Sequence, residues 1–203
     1  MTYRGTKTKL LAHFDNTANL AKTAVYMNSG GAANAYLQSS SFEPGKFGSG
    51  CTALLGVFDN LGPIGTSPFT IEFWFRPYSN GPTYAGFGES SSSGDEHIVH
   101  VDMSSITLLR NSANTPVAIS PALFTTIYHH IAVVGNGAVN GSRVVSGFVN
   151  GVKLVTKQYD YNFTNKKFFI KNNVRFYIDE LRVSNVARYA ANFTPPTAPF
   201  VPD

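Results

Sequence analysis

The sequence predicts an all-β domain of the sandwich or jelly-roll kind, and three observations predict it. Gly, Ser, Thr and Asn make up about a third of the 203 residues, so turn and strand formers outnumber helix formers. Short apolar runs recur between turn signals at the lengths and spacing of sandwich strands. No heptad run exists, which excludes a coiled coil. At 43% hydrophobic, the chain can bury a core without disulfide or metal staples.

In chain order, strands are expected at Leu10–Phe14, Thr52–Phe58, Phe69–Arg76, His97–Met103, Ile106–Leu109, Thr126–Val134, Val144–Val149, Val152–Thr156, Lys167–Ile170 and Val174–Val183. In the third, Phe69, Ile71, Phe73 and Phe75 alternate with Thr70, Glu72, Trp74 and Arg76, so one face is an apolar stripe for a sheet–sheet core. Asn150-Gly151 lies between two apolar runs, Phe148-Val149 and Val152-Lys153-Leu154. Both residues tolerate positive φ, which predicts a two-residue type I′ hairpin. Glu89–Asp95, Asn111–Pro116 and Gly135–Gly141 read as loops, and Asn60–Pro68 as a long loop inside one sandwich. One or two helical turns at most are expected, at Val186–Ala191. The Pro-rich stretch Thr194–Pro202 must be extended, because its prolines fix φ and lack donors. The expected division is an N-terminal arm over residues 1–8, the β-domain over 9–193 and an extended C-terminal arm over 194–203.

The net charge is +4, but the Lys and Arg residues are scattered, with no basic helix and no stripe interleaved with stacking aromatics. Nucleic acid is therefore not an expected partner, although a modest positive charge assists docking onto acidic surfaces. Cys51 is the single cysteine, so no intrachain disulfide can form. The N-terminus lacks the apolar segment of a signal peptide, and no apolar run approaches the ~18 residues of a membrane span. The expectation is a protein made in a host cytoplasm, with no membrane partner.

Six segments, in order, carry a resemblance. They are Leu10-Leu11-Ala12-His13-Phe14-Asp15, Lys46-Phe47-Gly48 with Gly50, Phe69 through Pro77, Tyr128-His129-His130-Ile131-Ala132-Val133, Phe148-Val149-Asn150-Gly151, and Tyr177 through Ser184. The last continues through Ala187-Arg188-Tyr189 to Phe193-Thr194-Pro195-Pro196. Together they resemble the laminin-G-like branch of the concanavalin A-like lectin/glucanase superfamily, and the ending resembles versions found in tailed-phage virion proteins. The resemblance implies a two-sheet antiparallel jelly-roll sandwich whose first strand lies beside the Ile178–Val183 strand. Two departures stand out: after Gly50 the usual aromatic-then-aspartate signature is absent, and Tyr128 stands where Trp is common.

Candidate chemistry is sparse. Retaining glycosidases need two carboxyls about 5 Å apart on one side of the sugar. Asp179 and Glu180 are adjacent, so a regular strand points them to opposite faces. Glu72 is a lone carboxylate among aromatics, and no enzymatic activity is expected. The structural alternative has Asp179 and Glu180 capping loops or pairing with Arg182 or Arg76. His97 with His100, and His129 with His130, point to opposite faces and complete no zinc set. No cofactor is expected; calcium would need Asp95, Glu96 and Asp102, or Asp15 and Asp59, to converge with further oxygens.

Two functions are expected as alternatives. The first is a non-enzymatic phage virion protein, a capsid decoration or tail accessory component, docking on a major capsid or tail protein or on copies of itself. Its partner contacts would be Tyr3, Arg4, Lys7, Phe200 and Val201 on the arms. The second is a lectin-like module for host surface glycans, using Tyr78, Asn80, Tyr84, Tyr159 and Tyr161.

Overall fold

The structure, a computed structural model, describes residues 7–14, 25–27, 35–38, 41–52, 55–58, 65–77, 84–91, 94–102, 105–110, 117–121, 127–159, 167–172 and 176–203. The strands are β1 (Thr8–Ala12), β2 (Val25–Met27), β3 (Ala35–Gln38), β4 (Ser41–Pro44), β5 (Ser49–Thr52), β6 (Leu55–Phe58), β7 (Phe69–Pro77) and β8 (Tyr84–Ser91). They continue with β9 (Gly94–Asp102), β10 (Ser105–Arg110), β11 (Val117–Pro121), β12 (His129–Gly135), β13 (Arg143–Val149), β14 (Val152–Tyr159), β15 (Lys167–Asn172) and β16 (Phe176–Ser184). One sheet has nine strands in the order β14-β13-β12-β7-β16-β1-β2, with β5 also on β16 and β4 on β5. The other has seven, in the order β11-β10-β9-β8-β15-β6-β3. Neighbours pair antiparallel, as in a jelly-roll sandwich. β1 lies beside β16, with Leu11 opposite Arg182, as the resemblance implied.

The central strands of the nine-stranded sheet are buried on both faces over most of their length, because they carry apolar residues on one and a covered polar layer on the other. Phe69, Ile71, Phe73 and Phe75 form the apolar face of β7, each 2% exposed or less. Thr70, Glu72 and Trp74 on the opposite face are also buried, at 5% or less. What covers them is the chain's own ending, residues 185–203, which crosses β12, β7 and β16. Tyr189 and Phe193 stack at 3.5 Å and pack on Ala132, Val134 and Phe148. Phe200 closes over Leu11 and Trp74. Burying one such ring contributes about 2–3 kcal/mol.

Four expectations change. The region Val186–Ala191 forms no helix, because Thr70 claims its backbone. The Thr70 hydroxyl donates to the Val186 carbonyl at 2.7 Å and accepts from the Arg188 N–H at 3.0 Å. The serine-rich stretch is mostly strand, since β8 runs to Ser91 and β9 begins at Gly94. Thr8 already belongs to β1, fully buried, so strand pairing starts inside the expected N-terminal arm. Residues 194–203 are irregular but lie on the domain's own sheet, where Lys7 and Thr8 both donate backbone N–H groups to the Asp203 carbonyl at 2.7 and 3.0 Å. The loop expected at Asn111–Pro116 lies outside the described residues.

The hairpin holds as read. Asn150 and Gly151 take φ of 50° and 79°. The Asn150 side chain also accepts the His130 N–H, and the Gly151 carbonyl accepts the Phe193 N–H, each at 2.9 Å.

Candidate functional site

The face of the nine-stranded sheet bearing Glu72 and Trp74 divides into a half closed by residues 185–203 and a half left open. In the closed half Glu72 is the hub. Arg182 donates from Nε at 2.9 Å and approaches with Nη2 at 2.7 Å. The Tyr189 hydroxyl donates to Glu72 Oε2 at 2.8 Å, and His130 Nε2 lies 3.3 Å from the same oxygen. Burial alone would raise the Glu72 carboxyl, but His130 and Arg182 outweigh it and hold it below the usual range. Burial, then the Glu72 charge, pushes the Tyr189 phenol up. At the margin Arg188 forks onto the Asp203 carboxylate at 2.5 and 3.1 Å, which lowers that carboxyl to about 2.

Glu180 also serves this half. A bulge between Asp179 and Arg182 puts Glu180 at φ 53°, so its carboxylate accepts the Phe200 N–H at 2.7 Å and meets His13 Nδ1 at 2.6 Å. The opposite-faces rule thus fails here, because the bulge inserts a residue into the alternation. Asp179 instead caps the turn between β4 and β5, accepting the Phe47 N–H at 2.9 Å, which matches the loop-capping alternative. Arg182 pairs with Glu72 rather than with either. Glu72, Asp179 and Glu180 are each fully buried; Glu72 and Glu180 bond the chain's own groups through both oxygens, and Asp179 through Oδ2. Among the described side chains no carboxylate pair opens toward a cleft, and no cluster fit for a metal ion occurs among the described residues.

The open half lies at the β7 end beyond Phe200. Trp74 and Arg76 stand two residues apart on one strand face, about 7 Å along it. The Arg76 guanidinium sits 4.4 Å from the Tyr177 ring centre and 5.1 Å from that of Tyr128. Lys46 Nζ is 4.5 Å from the Trp74 ring and 5.8 Å from that of Phe47, and Phe47 meets Trp74 edge-on at 6.0 Å. The Tyr128 hydroxyl donates to the Pro44 carbonyl at 3.3 Å, and a side chain at Gly50 would collide with it. Lys46 is exposed, while Phe47, Arg76 and Tyr128 are half-buried. No described carboxylate forms an ion pair with Lys46 or Arg76.

The residues expected at a site fall elsewhere. Phe200, at 3% exposed, faces inward and offers a partner no ring, a correction that follows from its packing on Leu11 and Trp74. Val201 is 68% exposed, and Lys7, whose backbone N–H donates to the Asp203 carbonyl, is also exposed. Tyr159 is 2% exposed, so it is no glycan platform; burial pushes its phenol up to about 12. Tyr84 opens β8 opposite Asp102. Tyr3, Arg4, Tyr78, Asn80 and Tyr161 lie outside the described residues, as do Asp15 and Asp59. The open-half residues were missed because four separate segments supply them. The signals were Trp74-x-Arg76 on one strand and Tyr128 at the family's tryptophan position.

A family model described as the concanavalin A-like lectin/glucanases superfamily matches residues 52–192, more than half of the chain. No curated protein matches. Among solved structures, the chain is similar to domain 4 of AbnA, an extracellular arabinanase of Geobacillus stearothermophilus, in complex with arabinotriose. That match has 14% identity and a TM-score of 0.58, over 89% of this chain and 94% of that one. It is also similar to the botulinum neurotoxin type G receptor-binding domain, at 13% identity and TM-score 0.59, over 91% of this chain and 49% of that one. A third is the metal-free carbohydrate recognition domain of Emp46p, at 9% identity and TM-score 0.54, over 88% and 96%. At these identities the likeness is one of fold.

Proposed function

We propose, from the premise that the chain belongs to the concanavalin A-like lectin/glucanase superfamily, that it is a non-catalytic, lectin-like module that binds glycans at the open half of its sheet face. One observation carries the reading: Lys46 and Arg76 are held against aromatic rings at a partly exposed surface, with no described carboxylate paired to either. Aromatic faces take the apolar side of a sugar ring, and polar groups at their edge fix its orientation. The arabinotriose-bound domain and the Emp46p domain support a saccharide ligand, since both share this fold. The buried, internally paired carboxylates support the absence of hydrolysis. A glycan array tests binding, and incubation with the bound glycans tests turnover. Binding without product is expected. A folded sample that binds no glycan, or one that releases product, refutes the reading.

A second reading is a phage virion component, a capsid decoration or tail accessory protein contacting a major capsid or tail protein. It rests on the resemblance of Tyr177–Ser184 and Phe193–Pro196 to endings in tailed-phage virion proteins, and on the exposure of Lys7 and Val201. Mass spectrometry of purified capsids and tails tests it, and absence of the chain from both removes it.

A further inference from the structure

We infer that the open half selects acidic saccharides, those carrying a uronic acid carboxylate, over neutral ones; this rests on the glycan-binding reading above and names its ligand class. Elsewhere on this sheet face the guanidinium groups have carboxylate partners: Arg182 has Glu72, and Arg188 has Asp203. Among the described residues Arg76 and Lys46 face aromatic rings, and no acid forms an ion pair with either. Asp179 is fully buried and capped by the Phe47 N–H, and exposed Glu43 pairs with neither cation.

A guanidinium stacked on rings has its flat faces occupied and its edge left for hydrogen bonding. In Arg76 the Nε is buried without a hydrogen-bond partner, and the side chain as a whole is half-buried, so part of the guanidinium lies at the surface. A planar carboxylate matches such a donor edge. Lys46, on the exposed turn, adds a point charge beside the Trp74 and Phe47 rings. A pyranose ring lying on Phe47 and Tyr128 would then turn its carboxylate toward Arg76. The half-buried rings of Phe47 and Tyr128, with two positive charges that pair with no described carboxylate, give charge complementarity to an acidic sugar.

Trp74 is the single tryptophan of the chain, so its fluorescence reports on this surface. The test titrates the protein with oligogalacturonates, with the matching neutral galacto-oligosaccharides and with inorganic phosphate. Oligogalacturonate is expected to bind about tenfold or more tighter than the neutral sugar. Its affinity should fall as salt rises. Lys46→Ala and Arg76→Gln should each weaken it about tenfold. Lys46→Ala changes an exposed side chain and keeps the test valid if Arg76→Gln fails to fold. Equal binding of the neutral sugar, inorganic phosphate competing as well as the uronate, or unchanged affinity in Lys46→Ala overturns the proposal. Neutral sugars binding with both variants unaffected would leave the glycan reading intact and sink only this one. No saccharide binding at all sinks both.

Discussion

The two halves of one sheet face use the same residue types to opposite ends. Under the ending, Glu72 gathers Arg182, His130 and Tyr189 into a closed set, and rings from Tyr189, Phe193 and Phe200 shut out water. Beyond Phe200, Arg76 and Lys46 have rings but no ion pair with a described carboxylate. The difference lies in who supplies the counter-charge. Where the chain supplies it, the charges hold the ending in place. Where no described carboxylate meets them, the charges lie against rings at a partly exposed surface.

Removing the hub breaks the closed half most severely. Glu72→Ala strands Arg182 and His130 in a buried site and is expected to cost about 3–5 kcal/mol, read as a lowered denaturation midpoint. A loss within error of wild type would mean the set is ornamental. Next comes Gly151→Ala. Its φ is 79° and a Cβ would overlap the Phe193 carbonyl, so about 1–3 kcal/mol should be lost by the same measurement.

Acid probes the comparison without mutation. Asp203 and Glu72 both titrate below their ordinary values in the folded chain. Their contribution is therefore fully present above the unfolded carboxyl range and is lost as pH falls, for Asp203 through about 2. Trp74 fluorescence should shift toward that of exposed indole across this window as Phe200 lifts away; a flat profile would separate Phe200 from these carboxylates. The smallest effect belongs to the open half. Lys46→Ala should change stability by no more than about 0.5 kcal/mol, because an exposed charge contributes little to folding.

Local chemistry made much of the fold legible. The alternation in β7 and the Asn150-Gly151 turn depend on neighbours in sequence, and both stand as expected. The second buried face of β7 was illegible, because Tyr189, Phe193 and Phe200 arrive from more than a hundred residues away. The bulge at Glu180 carries no glycine or asparagine to announce it. Val186–Ala191 fits a helix by composition, and only the distant Thr70 side chain decides otherwise. The open half fails for the same reason: its rings and cations share a surface only after β4, β7, β12 and β16 have assembled.

The meeting of Lys7 and Thr8 with Asp203 has a consequence for the order of assembly. Thr8 and Asp203 are 195 residues apart. Closing such a loop in an open chain would cost about 5 kcal/mol in entropy, far more than for the β13–β14 turn. Once β1 has paired with β16 most of that cost has been met, and the ending can zip down one contact at a time. Docking of residues 185–203 is therefore expected as a late folding step, and their amides should exchange with solvent sooner than those of β12 and β13. The stitch that joins the two ends would be the last to tighten and the first to slip.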